Sequence, residues 1–233
     1  MLKKLELLAP AGNKDIGIAA IDCGADAVYI AGPSFGARES AGNPVTDIAA
    51  LARYARPFGV KVYVTVNTIL KEDELEAARK LIIECYEAGC DAVIVQDLGI
   101  LDMNLPPIDL FASTQCNIRT PDQARWLESL GFTRLILARE LSLEQIRAIR
   151  AAVSCDLEAF VHGALCVSYS GQCYMSCHLA GRSANRGECI QACRSRFDVM
   201  DSAGHTLLKD KAVLSLKDLN LSHRLPDLIN AGV

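Results

Sequence analysis

The chain has 233 residues, of which 51% are hydrophobic and 22% charged, an ordinary balance for a globular domain with a sizeable core. A formal charge of −4 argues against a broad electrostatic grip on nucleic acid and leaves room only for a local basic groove. No window approaches the roughly 18 uninterrupted apolar residues of a membrane span, and the apolar stretch at the N-terminus is too short for a secretory leader, so a cytoplasmic location without membrane contact is expected.

From the N-terminus, the chain repeats one phrase: a helix-patterned stretch, a glycine, a short apolar strand, then polar residues. Gly24-Ala25-Asp26-Ala27-Val28-Tyr29-Ile30 recurs as Gly89-Cys90-Asp91-Ala92-Val93-Ile94-Val95, and more loosely as Gly131-Phe132-Thr133-Arg134-Leu135-Ile136-Leu137. The glycine suits the left-handed cap that ends a helix, and the β-branched run suits a buried parallel strand. Strands are predicted at Glu6–Leu8, Ala27–Ile30, Lys61–Val66, Ala92–Val95, Leu110–Ser113, Arg134–Leu137 and Leu157–Val161, with an eighth candidate at Ala212–Leu216. Helices are predicted at Lys14–Asp22, Thr46–Pro57, Asp73–Ala88, Pro121–Leu130 and Ser142–Ala152. This alternation predicts an α/β protein, a (β/α)-barrel of the TIM-barrel kind, over an open doubly wound sheet. The whole chain reads as one domain, with a cysteine-rich insertion at 162–211 after the seventh strand. Leu228-Ile229-Asn230-Ala231-Gly232-Val233 repeats the helix-end phrase where a further strand is expected, which predicts a natural chain continuing past residue 233.

Parallel barrels place their chemistry at the C-terminal ends of the strands. Those ends are polar here: Asn67, Gln96 and Asp97, Thr114 and Gln115, Arg139 and Glu140, His162, and Lys217 with Asp218. Any one of them has a plainer reading as a solvated loop residue or a helix cap, Asp97 above all. Converging on one mouth, they make a candidate substrate site with Asn67, Gln96 and Gln115 as binding residues. Arg139 and the Arg38-Glu39 pair suit an anionic ligand, a carboxylate or phosphate held bidentately. His162, Glu140, Arg139 and Lys217 are the candidates for catalysis, with His162 or Glu140 moving a proton.

Ten cysteines are unusual in a reducing compartment, where clustered thiols point to a metal or catalytic site. Cys23, Cys85, Cys90, Cys116 and Cys155 are scattered through apolar-patterned segments and read as small buried hydrophobes. Cys166, Cys173, Cys177, Cys189 and Cys193 crowd into 28 residues. Four thiolates from Cys166, Cys173, Cys189 and Cys193 are the shell of a 4Fe-4S cluster or of a structural zinc. The gaps match neither the paired knuckles of zinc ribbons nor a ferredoxin run, so spacing alone leaves the metal open, and Cys177, His162 or His178 are substitute ligands. Arg182, Arg186, Arg194 and Arg196 set positive charge around the loop, with Arg182 and Arg186 as further substrate contacts.

One stretch of this segment carries a resemblance. Glu158, Phe160, Gly163, Ala164, Leu165, Cys166, Gly171, Cys173, Met175 and Ser176 fit without departure the signature of the collagenase-like peptidase family U32. Leu8-Ala9-Pro10-Ala11-Gly12 and Gly181-Arg182-Ser183-Ala184-Asn185-Arg186-Gly187 are similar to the family as well, so the resemblance covers essentially the whole chain. Within it, Ala112 to Thr120, Leu137-Ala138-Arg139-Glu140 and Ser215 to Asn220 resemble the branch that hydroxylates a cytidine of large-subunit ribosomal RNA. The resemblance implies an iron–sulfur cluster on Cys166, Cys173, Cys189 and Cys193, RNA as partner, and prephenate as the source of the hydroxyl. Some members take a ligand from a cysteine after the Lys217-Asp218-Leu219 phrase; this chain has Asn220 there, which favours Cys193 as the fourth. Hydrolysis is poorly supported, since there is no His-Glu-x-x-His helix and no triad. A pyrimidine hydroxylase of RNA is therefore the leading expectation. The alternatives are a peptidase and a non-catalytic, zinc-stabilised barrel that binds RNA or protein; the sequence leaves the oligomeric state open.

Overall fold

The computed structural model describes residues 5–38 and 41–233. Seven strands form one parallel sheet in unbroken chain order: β1 (Leu8–Ala11), β2 (Ala27–Ala31), β3 (Lys61–Val66), β4 (Ala92–Val95), β5 (Asp109–Ala112), β6 (Arg134–Ile136) and β7 (Asp156–Glu158). A doubly wound sheet would reverse its strand order partway, and this one does not. Between the strands lie α1 (Lys14–Asp22), α2 (Val45–Ala55), α3 (Leu75–Glu87), α4 (Pro121–Ser129) and α5 (Leu143–Ala152), while β4 and β5 are joined only by a 3-10 turn at Leu98–Asp102.

Local chemistry explains these starts and stops. Asn13 caps α1 by accepting from the Ile16 N–H at 2.9 Å, and Ser142 and Gln145 form a reciprocal capping box on α5. Thr120 caps α4 directly ahead of Pro121, whose fixed φ suits the first helical turn. The glycines of the repeated phrase, Gly24, Gly89 and Gly131, all have φ near +90°, which ends each helix in a conformation side-chain-bearing residues avoid.

Strand alternation sorts the core into two clusters. Val28, Ile30, Val62, Val64, Val66, Val93, Val95 and Leu135 face outward and pack with Ile48, Leu51, Ile82, Leu127 and Ile149 of the helices. Ala27, Tyr63, Ala92, Ile94, Phe111 and Ile136 face inward and meet only other strand residues and Phe160. Each fully buried Leu, Ile or Val contributes roughly 1.5–3 kcal/mol, so the outer layer dominates the stability.

The inner side also carries charge. Arg134, at the start of β6, donates to Glu6 ahead of β1 at 2.5 Å and to Glu158 of β7 at 3.4 Å, and pairs with Asp156 at 3.6 Å. Tyr63 of β3 donates to the same Glu6 carboxylate at 2.9 Å, and the Arg134 guanidinium lies 4.4 Å from the centre of the Phe111 ring. Contacts joining the two ends of the sheet on one face require it to curl, as a half-barrel does.

Closure does not follow the expectation. Ala212–Leu216 is irregular chain, not an eighth strand, and β1 and β7 remain the sheet edges. The run has strand composition, but Arg194 fixes it by donating to Ser215 Oγ at 2.8 Å and to the Leu216 carbonyl at 2.6 Å. After β7 come the short β8 (His162–Gly163), α6 (Met175–Ala180), the antiparallel pair β9 (Phe197–Met200) and β10 (Thr206–Lys211), then β11 (Leu219–Asn220), which pairs with β8. Finally α7 (Leu225–Ala231) packs against α5 and adds Leu228 and Ala231 to the outer core. Among the described residues, no helix is long and apolar enough to cross a membrane.

Candidate active site at the mouth of the sheet

The loops leaving the C-terminal ends of the strands form a mouth, and the cysteine segment folds over it. Gly171 shows how closely. Its φ is +70°, and a Cβ there would stand 2.1 Å from the Gln115 carbonyl oxygen and 3.0 Å from Gln96 Nε2. Further along, the Ile69 N–H donates to the Asn185 carbonyl at 3.3 Å, and Tyr169 takes the Arg119 guanidinium over its ring at 3.9 Å. Arg194 ties the segment to itself by donating to the Leu165 carbonyl at 2.7 Å.

Of the proposed binding residues, Asn67 and Arg186 do structural work. Asn67 is buried, accepts from the Ala37 N–H at 2.8 Å and donates to Ser113 Oγ at 3.2 Å, so it fixes the loop after β2. Arg186 reaches both carboxylate oxygens of Glu74, at 2.9 and 2.5 Å, and the Ile69 carbonyl at 2.7 Å, pinning the cysteine segment to the sheet. That bidentate pair holds the Glu74 carboxyl down to about 2. Gln96 donates to the Gln115 carbonyl at 3.4 Å while its Oε1 is buried without a partner, and Arg182 is exposed. Asp97 is a cap, accepting from the N–H groups of Gly99 and Leu70 at 2.8 Å each.

The catalytic candidates separate in the same way. Arg139 stacks 3.9 Å over Phe160, donates to the Ala164 carbonyl at 2.6 Å, and keeps a buried Nε with no partner. Burial pulls its pKa down, and Tyr29, Arg38, Cys166 and Glu140 all lie within its electrostatic reach. Tyr29 is raised by burial and opposed by Arg139 and Arg38. Sequence reading did not single out this tyrosine; its place on the inward face of β2 is the signal that marks it. Glu140 faces Arg119 at 3.5 Å. His162 is exposed in β8, and Lys217 lies exposed in irregular chain rather than at a strand end, because the strand expected before it does not form. Glu39, expected beside Arg38, lies outside the described residues.

Four of the cysteines share one neighbourhood. The Cys193 thiol is pushed up first by burial and then by the thiols of Cys166, Cys189 and Cys173, with Arg194 pulling the other way. Cys177 is not among the main influences on Cys193 and stands exposed on α6. Among the described residues, no three His, Cys, Asp or Glu side chains are already arrayed as ligands around a point. Donor chemistry and mutual influence suit a thiolate-bound centre, while all the thiols are free. Of the scattered cysteines, Cys85 and Cys90 are buried as expected and Cys116 and Cys155 half-buried; Cys23 is exposed at the end of α1, where the apolar periodicity stops.

The architecture is a curled parallel β/α half-barrel whose strand ends are covered by a thiol-rich segment. The chain belongs to peptidase family U32, whose model matches residues 12–233. A 23S rRNA 5-hydroxycytidine synthase of Escherichia coli K12 is 54% identical over 230 residues, covering 99% of this chain and 35% of that protein. A tRNA hydroxylation protein of Bacillus subtilis is 34% identical over 99% of this chain and 57% of its own length, and a collagenase of Porphyromonas gingivalis 34% identical over 98% and 59%. The chain thus spans between about a third and three-fifths of these curated relatives. A solved U32 peptidase superposes with a TM-score of 0.60 at 14% identity, covering 92% of each chain, and supports the fold alone.

Proposed function

We propose that this chain is the cluster-bearing part of an enzyme that hydroxylates a pyrimidine of RNA, with C5 of a cytidine in large-subunit ribosomal RNA as the target. The carrying observation is the gathering of Cys166, Cys173 and Cys189 around Cys193 beside Arg139 at the mouth, in a chain 54% identical to a 5-hydroxycytidine synthase. Those four thiolates would hold a 4Fe-4S cluster, which supplies electron-transfer capacity when bound. Zinc is the alternative occupant of the same thiols.

The chain's own residues then have definable tasks. Arg139, stacked on Phe160 and carrying a buried unpartnered Nε–H, presents positive charge at the mouth, which suits a carboxylate of a co-substrate such as prephenate. Tyr29, kept protonated by burial, offers a phenolic proton there. Gln96 and Gln115, after β4 and β5, line a cavity that reaches Trp126 of α4 and are amide groups able to read a base edge. Peptide hydrolysis finds no counterpart: among the described residues, no serine or cysteine is hydrogen-bonded to a histidine. The expected setting is the cytoplasm, where ribosomal RNA resides.

The test is mass spectrometry of ribosomal RNA from a strain lacking the gene, complemented with full-length wild-type protein or with Cys193→Ala. Modified cytidine should return with the first and stay absent with the second. Undiminished modification with Cys166, Cys173, Cys189 and Cys193 all replaced would overturn the reading.

A further inference from the structure

Beside the mouth lies a separate cavity of about 290 Å³, walled by the loop after β2, the loop after β3, and the 186–188 stretch of the cysteine segment. Its lining carries three cations, Arg38, Lys71 and Arg186, against two carboxylates, Glu74 and Glu188. Both carboxylates are already engaged. Glu74 is held by Arg186 through both oxygens, and Glu188 accepts from the Ser183 N–H at 3.0 Å. Among the described residues, the side chains of Arg38 and Lys71 make no hydrogen bond or ion pair, although Lys71 stands within the field of Glu74. Arg38 and Lys71, with no ion-pair partner among the described residues, thus face one polar space with an excess of one positive charge among its described lining residues, which also exposes the loop carrying Ser34 and the buried Thr68.

The wall itself is strained. Phe35 holds φ at +60°, a left-handed conformation that costs a non-glycine residue on the order of 1 kcal/mol. Asn67 over-determines that loop by gripping the Ala37 N–H, so Arg38 is presented and not left to wander. Arg38 also lies within the field of Tyr29 and Arg139, which makes the cavity a direct neighbour of the mouth.

We infer that this cavity binds a phosphodiester of the RNA strand, next to the nucleotide whose base enters the mouth. A phosphodiester is a permanent monoanion with two free oxygens, one for each cation, and its chain continues on both sides, towards solvent and towards the mouth. Because one wall belongs to the cysteine segment, the phosphate site exists only when that segment is docked. The inference rests on RNA being the substrate, and its test separates the two.

Binding of a short labelled single-stranded RNA spanning the target cytidine is measured by fluorescence anisotropy on the full-length protein across a potassium chloride series. Lys71→Gln and Arg38→Gln should each weaken binding several-fold and lower the slope of log K against log salt by about 0.7, the value for one phosphate of a single strand. Lys71→Arg should restore both, and Lys71 is exposed, so its removal leaves the fold intact. Inorganic phosphate should compete with the RNA where acetate at equal ionic strength does not. Wild-type binding with unchanged slopes in both Gln variants, or competition by acetate as strong as by phosphate, overturns the cavity assignment and leaves the hydroxylase reading standing. Failure of the wild type to bind RNA at any salt overturns both.

Discussion

Arg134 is the one positive group among three negative ones inside an otherwise apolar half-barrel. It is 10% exposed, with Glu6, Asp156 and Glu158 around it and the Phe111 ring beneath. Removing the one cation leaves the carboxylates uncompensated, so Arg134→Ala should cost roughly 3–5 kcal/mol in urea unfolding. Glu158 is the least exposed of the three carboxylates, and its carboxyl is pushed up to about 7, chiefly by burial, with Arg134 opposing. Between its ordinary value near 4.5 and about 7, the folded state holds the extra proton. Stability therefore falls as pH rises through that window and levels off above it. Glu158→Gln should match the wild type near pH 4.5 and exceed it at pH 8 by on the order of 2 kcal/mol. Equal differences at both pH values would show that Glu158 ionises normally. Little of this was legible beforehand. Arg134 was visible as a charge opening a predicted strand, but Glu6 lies 128 residues away, and no local spacing encodes a contact made by curling.

Most strands and helices were legible to within a residue or two because each is encoded locally; the first strand runs Leu8–Ala11 where Glu6–Leu8 was expected, and the seventh ends at Glu158 and not at Val161. β3 and β4 follow their β-branched runs residue for residue, and Ser142 and Thr120 mark their helices by side-chain chemistry. Ala212–Leu216 misled because strand composition says nothing about whether a partner edge is offered. Here Arg194 takes up the Ser215 hydroxyl and the Leu216 carbonyl, and among the described residues β7 has no neighbour on that side. The docking of the cysteine segment is similarly non-local, and Gly171 is its tightest point. Gly171→Ala places a methyl carbon on the Gln115 carbonyl in a backbone conformation alanine resists, so the segment should lift from the mouth. Amide hydrogen exchange should rise across residues 162–195 while the helices of the sheet keep their protection. Unchanged exchange in the segment would mean that Gly171 is not what seats it.

The whole molecule divides its ten thiols into two populations, and that division tests the proposed centre without an activity assay. Thiolates react, thiols do not, and burial suppresses ionisation. Cys85 and Cys90 are buried, the Cys90 thiol is raised by its neighbour Cys85 and by burial, and burial takes Cys116 to about 12 and Cys155 to about 11. Cys23, Cys166, Cys177 and Cys189 are exposed, with Cys173 and Cys193 half-covered in the segment. A thiol reagent mapped by mass spectrometry should label Cys23, Cys166, Cys177 and Cys189 first, then Cys173 and Cys193, and the buried set only on unfolding. Spacing had left Cys177 as a substitute for Cys173; Cys173 is among the main influences on the Cys193 thiol and Cys177 is not. Reconstitution with iron and sulfide under exclusion of oxygen should therefore protect Cys166, Cys173, Cys189 and Cys193 together, while Cys23 and Cys177 stay reactive. Protection of Cys177 in place of Cys173 would redraw the ligand set, and labelling of all six at their original rates would mean that the segment gathers thiols without binding a centre.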